Sequence, residues 1–248
     1  MRSRANLAAA VIFDADDTLW STEPLYDAAR ARAREAVSGA GLDGAAWDAL
    51  QRGLDLSSFR SLGYSPERFP SSCAQAYEEL CRDAQRLVDP AVLAAVRNAA
   101  LGVFTAEAPL LTSARATLSR LVEDGWRLAL LTKGDVVVQK RRLEQSGLRP
   151  FFERALIVAE KTPEVIAELA FCLGTKKSRT WMVGNSLRSD VLPALAAGLN
   201  AIWIDAHVWE HERSGPAERD PRAVVLSRLA DVPAYVAAAT RASKRLAG

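Results

Sequence analysis

The sequence predicts an α/β protein: a doubly wound parallel sheet with a helical segment inserted after its first strand. Short continuous apolar runs recur along the chain, each ending on a polar residue. Helical patterns separate the later runs, and the long interval 21–106 contains no comparable run. Continuous rather than alternating apolar runs suit strands covered on both faces, as in a parallel sheet.

The runs are 10–14, 128–132, 156–160, 181–185 and 201–205, ending on Asp14, Thr132, Glu160, Asn185 and Asp205. Leu7 to Phe13 lies behind the charged start Arg2 and Arg4, but it is short, lacks a processing site and ends in acids. It reads as a buried strand rather than a leader. A helix from about Ser113 to Glu123 closes at Gly125, and another from Val136 to Ser146 stops at Gly147. Pro163 opens a third with Val165, Ile166, Leu169 and Ala170 on one face, and a fourth from Asp190 to Ala197 stops at Gly198. A short strand and closing helix follow from about Val224 to Ala239.

Within 21–106 the apolar residues fall at helical spacing: Leu25 to Ala36, Ala74 to Ala84, and Val92 to Val96. Residues 39–41 and 57–72 read as turns or loops, and the stretch from Phe59 to Phe69 as a loop able to reach over the sheet's rim. Trp47, Phe59, Tyr64 and Phe69 read as core or interface aromatics. The expected organisation is a core of 1–20 and 107–248 with a helical insert at 21–106, hinged near Trp20 and Glu107. Ordinary helices lying on the sheet are the alternative.

Bulk properties limit the function classes. With 248 residues and 49% hydrophobic content, a substantial core can be buried. Lys and Arg number 32 against 30 acids, so there is no electrostatic footprint for nucleic acid or an anionic membrane. No run approaches the roughly 20 apolar residues that span a bilayer. Cys73, Cys81 and Cys172 match neither a zinc site nor a redox pair, which points to free thiols in a reducing cytoplasm. His207 and His211 read as surface or loop residues at the edge of a pocket.

In a doubly wound sheet the ligand crevice lies beyond the carboxyl ends of the strands. Asp14, Thr132, Glu160, Lys161 and Asn185 would gather there. Carboxylates at a strand end do not serve sheet stability, because packed acids cost free energy unless paired or metal-bound. A divalent cation such as Mg²⁺ would relieve the repulsion between Asp14 and Asp16. Phosphate monoester cleavage needs such a set: a nucleophile, a screening cation and a proton donor for the leaving oxygen.

The stretch Asp14-Ala15-Asp16-Asp17-Thr18-Leu19 resembles the first motif of the haloacid-dehalogenase superfamily, in its phosphatase branch. Leu130-Leu131-Thr132 resembles the second motif, Lys161 the third, and the stretch from Gly184 to Asp190 the fourth. The resemblance implies a Rossmann-like core with a helical cap after the first motif. It makes Asp14 the nucleophile that becomes phosphorylated, and Asp16 the general acid and base whose carbonyl also binds Mg²⁺. It assigns Thr132 and Lys161 to the phosphoryl group, with amides of the following helix start assisting Thr132. The fourth motif often begins with an acid, whereas here Asn185 stands first and Asp190 follows; both are expected at the metal. An acid at position 16 disfavours dehalogenation, and the first motif excludes the ion-pump branch. The implied substrate is a small phosphorylated metabolite, and the protein a monomer or homodimer. A sugar-phosphate mutase and a non-catalytic binder of phosphometabolites remain as alternatives.

Overall fold

The computed structural model describes residues 9–204 and 220–246, the last four of these without their side chains. Residues 1–8, and the stretch with Asp205, His207 and His211, lie outside the described residues. Six strands form one parallel sheet: β1 (Ala10–Phe13), β2 (Arg127–Lys133), β3 (Arg154–Val158), β4 (Thr180–Gly184), β5 (Asn200–Ile204) and β6 (Ala223–Leu226). Among the described residues the longer helices are α1 (Glu23–Gly39), α2 (Gly44–Leu62), α3 (Arg68–Asp83), α4 (Pro90–Thr105), α5 (Ala114–Glu123), α6 (Val136–Ser146), α7 (Pro163–Cys172), α8 (Leu192–Ala196) and α9 (Val232–Leu246).

The strand order is β3-β2-β1-β4-β5-β6. The chain therefore winds outward from β1 to β3, returns to the centre at β4, and winds out the other way. That reversal beside β1 is the topological switch point where doubly wound sheets hold ligands. Alternate residues face opposite sides of the sheet. Ala10, Ile12, Ala129, Leu131, Met182 and Ala201 share one core with Ile166 and Leu169 of α7 and Ala194 and Leu195 of α8. Val11, Phe13, Leu128 and Leu130 are buried on the other face, where α5 packs on β2. There the Trp181 ring meets Tyr235 of α9 edge-on at 5.6 Å. Each large apolar side chain so covered contributes about 1.5–3 kcal/mol.

Two expectations change here. The run at 156–160 is not a strand buried on both faces: β3 is the sheet's edge, spans Arg154–Val158 and leaves Leu156 exposed. Glu160 and Lys161 thus lie in the loop beyond it. The helix expected from Asp190 is preceded by a π-helical turn, Leu187–Val191, which runs straight into α8. Gly198, at φ 85°, then ends the helix in the left-handed region that glycine adopts freely.

The chain divides into two compact units, one of Met1–Ser21, Pro109–Lys133 and Gln139–Gly248, the other of Thr22–Ala108 with Gly134–Val138. The second is helical, with α1 against α4 and α2 against α3. Its core holds Ala29, Ala33, Val37, Trp47, Phe69 and Tyr77, among others. Trp47 Nε1 donates to the Cys73 carbonyl at 3.2 Å. The loop expected over 57–72 is mostly helix, because α2 runs to Leu62 and α3 begins at Arg68. Packing overrides composition there. Phe69 is buried, Phe59 meets Tyr64 edge-on at 5.0 Å, and the Arg68 guanidinium lies 5.3 Å from the Phe59 ring. Residues 63–67 are what connects the two helices.

Among the described residues no helix is long and apolar enough to cross a membrane. Cys73 and Cys81 are buried, Cys172 is exposed, and none is bridged.

Candidate active site

Strand β1 pairs in parallel register with β2 and β4, and its last rung is the Asp14 N–H donating to the Val183 carbonyl at 2.9 Å. Asp14 thus emerges at the carboxyl end of the central strand. The chain then folds back tightly: Leu19 N–H donates to Ala15 O at 2.8 Å and Asp17 N–H to Trp20 O at 2.7 Å. Asp17 takes φ 57°, a left-handed conformation that short polar residues tolerate better than most.

The centre of the site is an ionic cluster. Lys161 follows β3 and directly precedes Thr162, whose hydroxyl caps α7 by accepting from Val165 N–H at 3.3 Å. The Lys161 ammonium donates to Asp14 Oδ1 and, at 2.6 Å, to Asp190 Oδ1. All three side chains are buried. The second oxygen of Asp190 accepts the Ser186 N–H at 3.0 Å. This placement requires glycine at 184, where a Cβ would stand 2.2 Å from Asp190 Oδ2 and 2.7 Å from Asp190 Cβ. The Thr18 hydroxyl sits 3.2 Å from Asp14 Oδ2 and 3.3 Å from Asn185 Oδ1. With one proton it donates to only one of them at a time.

Burial pushes the Asp14 carboxyl from 3.8 up to about 7; Lys161 pulls against this, and Asp190 adds to it. For Lys161, burial alone would lower the ammonium, but the carboxylates of Asp14 and Asp190 more than reverse that and raise it above the usual lysine value. Lys161 is therefore a fixed positive charge at neutral pH, held between two acids.

Asp16 is not bonded into this cluster. Its Oδ1 accepts Trp20 Nε1–H at 2.6 Å, and its Oδ2 accepts from Gln139 at 2.8 Å and from Arg142 at 3.1 Å. Thr132 is buried at the end of β2, the strand beside β1, and its hydroxyl lies 3.4 Å from the Lys133 carbonyl. At the start of α6, Asp135 Oδ1 accepts from Val137 N–H at 2.9 Å and Val138 N–H at 3.0 Å.

Several residues of this region are not legible from the chain alone. Thr18 lies within the first motif, but its spacing assigns it no role. Gly184 is legible only once Asp190 is seen against it. Gln139 and Arg142 lie among charged neighbours in the sequence, and the one available signal was their helical spacing with the apolar Val138 and Leu143.

Among the described residues no group of three or more His, Cys, Asp and Glu side chains is arranged to hold a metal ion. A cation here would need mixed donors: the Asp14 and Asp190 carboxylates, the Asn185 amide oxygen and backbone carbonyl. Such an all-oxygen set suits a hard divalent ion that keeps several waters. Lys161 pairs with Asp14 and Asp190, and Arg142 with Asp16.

The sequence model of the haloacid dehalogenase-like hydrolase family matches residues 8–198. A glyceraldehyde 3-phosphate phosphatase of Methanopyrus kandleri is 29% identical over 79% of this chain and 83% of its own. A ribulose-1,5-bisphosphate 5-phosphatase of Halopiger xanaduensis is 28% identical over 80% of this chain and 85% of its own. The crystal structure of a haloacid dehalogenase-like family hydrolase from Xanthomonas campestris superposes with a TM-score of 0.77 at 27% identity, covering 96% of this chain and 99% of that one. The match spans most of the chain, and the relatives are named as phosphatases: this chain is an enzyme of the haloacid dehalogenase-like hydrolase family, on its phosphatase side.

Proposed function

We propose that this protein is a Mg²⁺-dependent hydrolase of small phosphate monoesters that works through an aspartyl-phosphate on Asp14. The observation that carries the reading is the buried Asp14–Lys161–Asp190 cluster at the end of the central strand, beside the switch point of the sheet. A buried ammonium clamped by two carboxylates gains little stability over apolar residues of similar size, which supports a role for it in the chemistry.

Each residue has a defined task. Asp14 Oδ2, the oxygen not bonded to Lys161, attacks phosphorus as the bond from phosphorus to the ester oxygen breaks. Asp16 supplies the proton that the departing alkoxide needs, then removes one from the water that cleaves the aspartyl-phosphate. Lys161 and the Thr132 hydroxyl stabilise negative charge on the phosphoryl oxygens. Asp14, Asp190, Asn185 and the backbone carbonyl of Asp16 would hold the Mg²⁺, with Asp190 carrying the charge that Asn185 lacks. When bound, Mg²⁺ screens the approach of one anion to another. The helical unit acts as a cap that covers the substrate and excludes water. An acid at position 16 favours ester cleavage over carbon–halogen hydrolysis, because a halide leaves without a proton.

Similarity to relatives named for glyceraldehyde 3-phosphate and ribulose 1,5-bisphosphate supports trying short phosphorylated sugars first. The test is phosphate release from a panel headed by such sugars, with Mg²⁺ or with chelator, for wild type and Asp14→Asn. Release that needs both the metal and Asp14 supports the proposal. Equal release by both proteins would remove Asp14 as nucleophile, and transfer to a second sugar without free phosphate would make the enzyme a mutase.

A further inference from the structure

The acid at position 16 is held by Trp20, Gln139 and Arg142, which lie outside the four motif stretches. Trp20 Nε1–H fixes Asp16 Oδ1 at 2.6 Å, while Gln139 Nε2 and Arg142 Nη1 fix Oδ2 at 2.8 and 3.1 Å. Donors on both oxygens leave the carboxylate little freedom to rotate. Gln139 and Arg142 project from α6 about one turn apart, on the side that also carries Val138 and Leu143 into the interior.

Stability does not account for this pair. Burying an amide and a guanidinium at positions flanked by Val138 and Leu143 is unfavourable compared with apolar residues of similar size. The Gln139 amide is also incompletely satisfied: its Nε2 donates to Asp16 and, at 3.0 Å, to the Lys133 carbonyl, while its buried Oε1 has no hydrogen-bond partner among the described residues. Its orientation is set by two acceptors, one of them Asp16. The exposure is asymmetric as well. The Arg142 side chain is 4% exposed and that of Asp16 is 31%, so the rear of the carboxylate is anchored while one flank stays open. A salt bridge serving the fold alone has no need of an open carboxylate.

We propose that Gln139 and Arg142 are positioning residues that orient Asp16 toward the leaving oxygen of the substrate. Gln139 links this orientation to the end of β2, because the Lys133 carbonyl that it binds adjoins Thr132. Arg142 supplies the charged contact, and Trp20 holds the opposite oxygen. This inference rests on the role given to Asp16 above.

The experiment compares two esters of different leaving group, with Mg²⁺ present. An alkyl phosphate such as glycerol 2-phosphate releases an alkoxide that must be protonated, whereas p-nitrophenyl phosphate releases a stable phenolate. The quantity is kcat/KM, which reports the steps through loss of the alcohol. Arg142→Met and Gln139→Met should each lose about tenfold or more on the alkyl ester, and much less on the aryl ester. Arg142→Lys should recover part of the loss. On an Asp16→Asn background, Arg142→Met should add no further selective loss, because the group that it orients is gone. Thermal unfolding confirms that each variant is folded. Should Arg142→Met fail to fold, the near-isosteric Gln139→Met carries the test.

Equal losses on both esters, or full additivity with Asp16→Asn, would overturn the proposal and leave the pair as structural residues. If Asp16→Asn itself shows no difference between the esters, the acid role of Asp16 fails and the positioning role falls with it. If Asp16→Asn discriminates while Arg142→Met and Gln139→Met do not, only the positioning role is removed.

Discussion

Replacing Lys161 by Met removes the ammonium bonded to both Asp14 and Asp190 and leaves two buried carboxylates without it. Breaking a buried ion pair on one side costs about 3–5 kcal/mol, because the remaining charge is uncompensated. The lower figure applies here, since one acid can take up a proton. For a chain of this length, about 3 kcal/mol corresponds to a fall in Tm of about 6–12 °C. The pH dependence follows from Asp14. Its folded value, about 7, lies above the ordinary 3.8, so between those limits the folded state binds more protons than the unfolded state. Stability of the metal-free wild type therefore falls as pH rises through this window. Without Lys161 the folded value moves higher still, and the variant keeps losing stability above pH 7. Lys161 itself stays protonated throughout, because its own value is raised and any loss of its contribution lies at much higher pH. The assay is calorimetric unfolding in chelator at pH 5 and pH 8. The gap in Tm between wild type and Lys161→Met should be wider at pH 8. A gap that is equal, or wider at pH 5, would refute the charge argument.

Gly184→Ala should damage the site more than the fold. Its Cβ would meet Asp190 Oδ2 at 2.2 Å, so Asp190 must shift from Lys161 and Ser186, with an overpacking cost of about 1–3 kcal/mol. A titration of turnover against Mg²⁺ should then reach half its maximal rate at a higher Mg²⁺ concentration than wild type. Asn185→Asp adds a carboxylate beside Thr18 and Asp14. It should lower Tm in chelator and raise it more than wild type when Mg²⁺ is added, while Asn185→Ala should raise the Mg²⁺ concentration needed for turnover; an unchanged concentration would remove Asn185 as a ligand. Leu118→Ala, in the buried face of α5, should cost about 2–5 kcal/mol in urea unfolding without altering the metal dependence.

The strands were legible because parallel strands buried on both faces must read as continuous apolar runs, and β1, β2, β4 and β5 do so. Their ends showed where Asp14, Thr132 and Asn185 would emerge. The edge position of β3 was not legible, since nothing in residues 154–158 states which neighbour is missing. Residues 57–72 misled through Ser, Gly and Pro, while the contacts that make them helical come from Phe69 in a distant core and from Arg68 over Phe59. Arg142 was the least legible residue of the site. Lys140, Arg141 and Arg142 are three consecutive cations in the sequence, and the docking of α6 turns Arg142 to Asp16. Asp190 and Lys161 could be named from the chain, but their meeting at Asp14 depends on the pairing of β1 with β4.

The most direct test of the central claim is to trap the covalent intermediate. Protein turning over a phosphorylated sugar with Mg²⁺ is quenched, reduced with borohydride and mapped by mass spectrometry. An aspartyl-phosphate would be reduced to homoserine, and the account predicts that residue at position 14 and nowhere else, only when substrate and metal are both present. Homoserine at another acid, or full turnover with position 14 unmodified at every quench time, would contradict it.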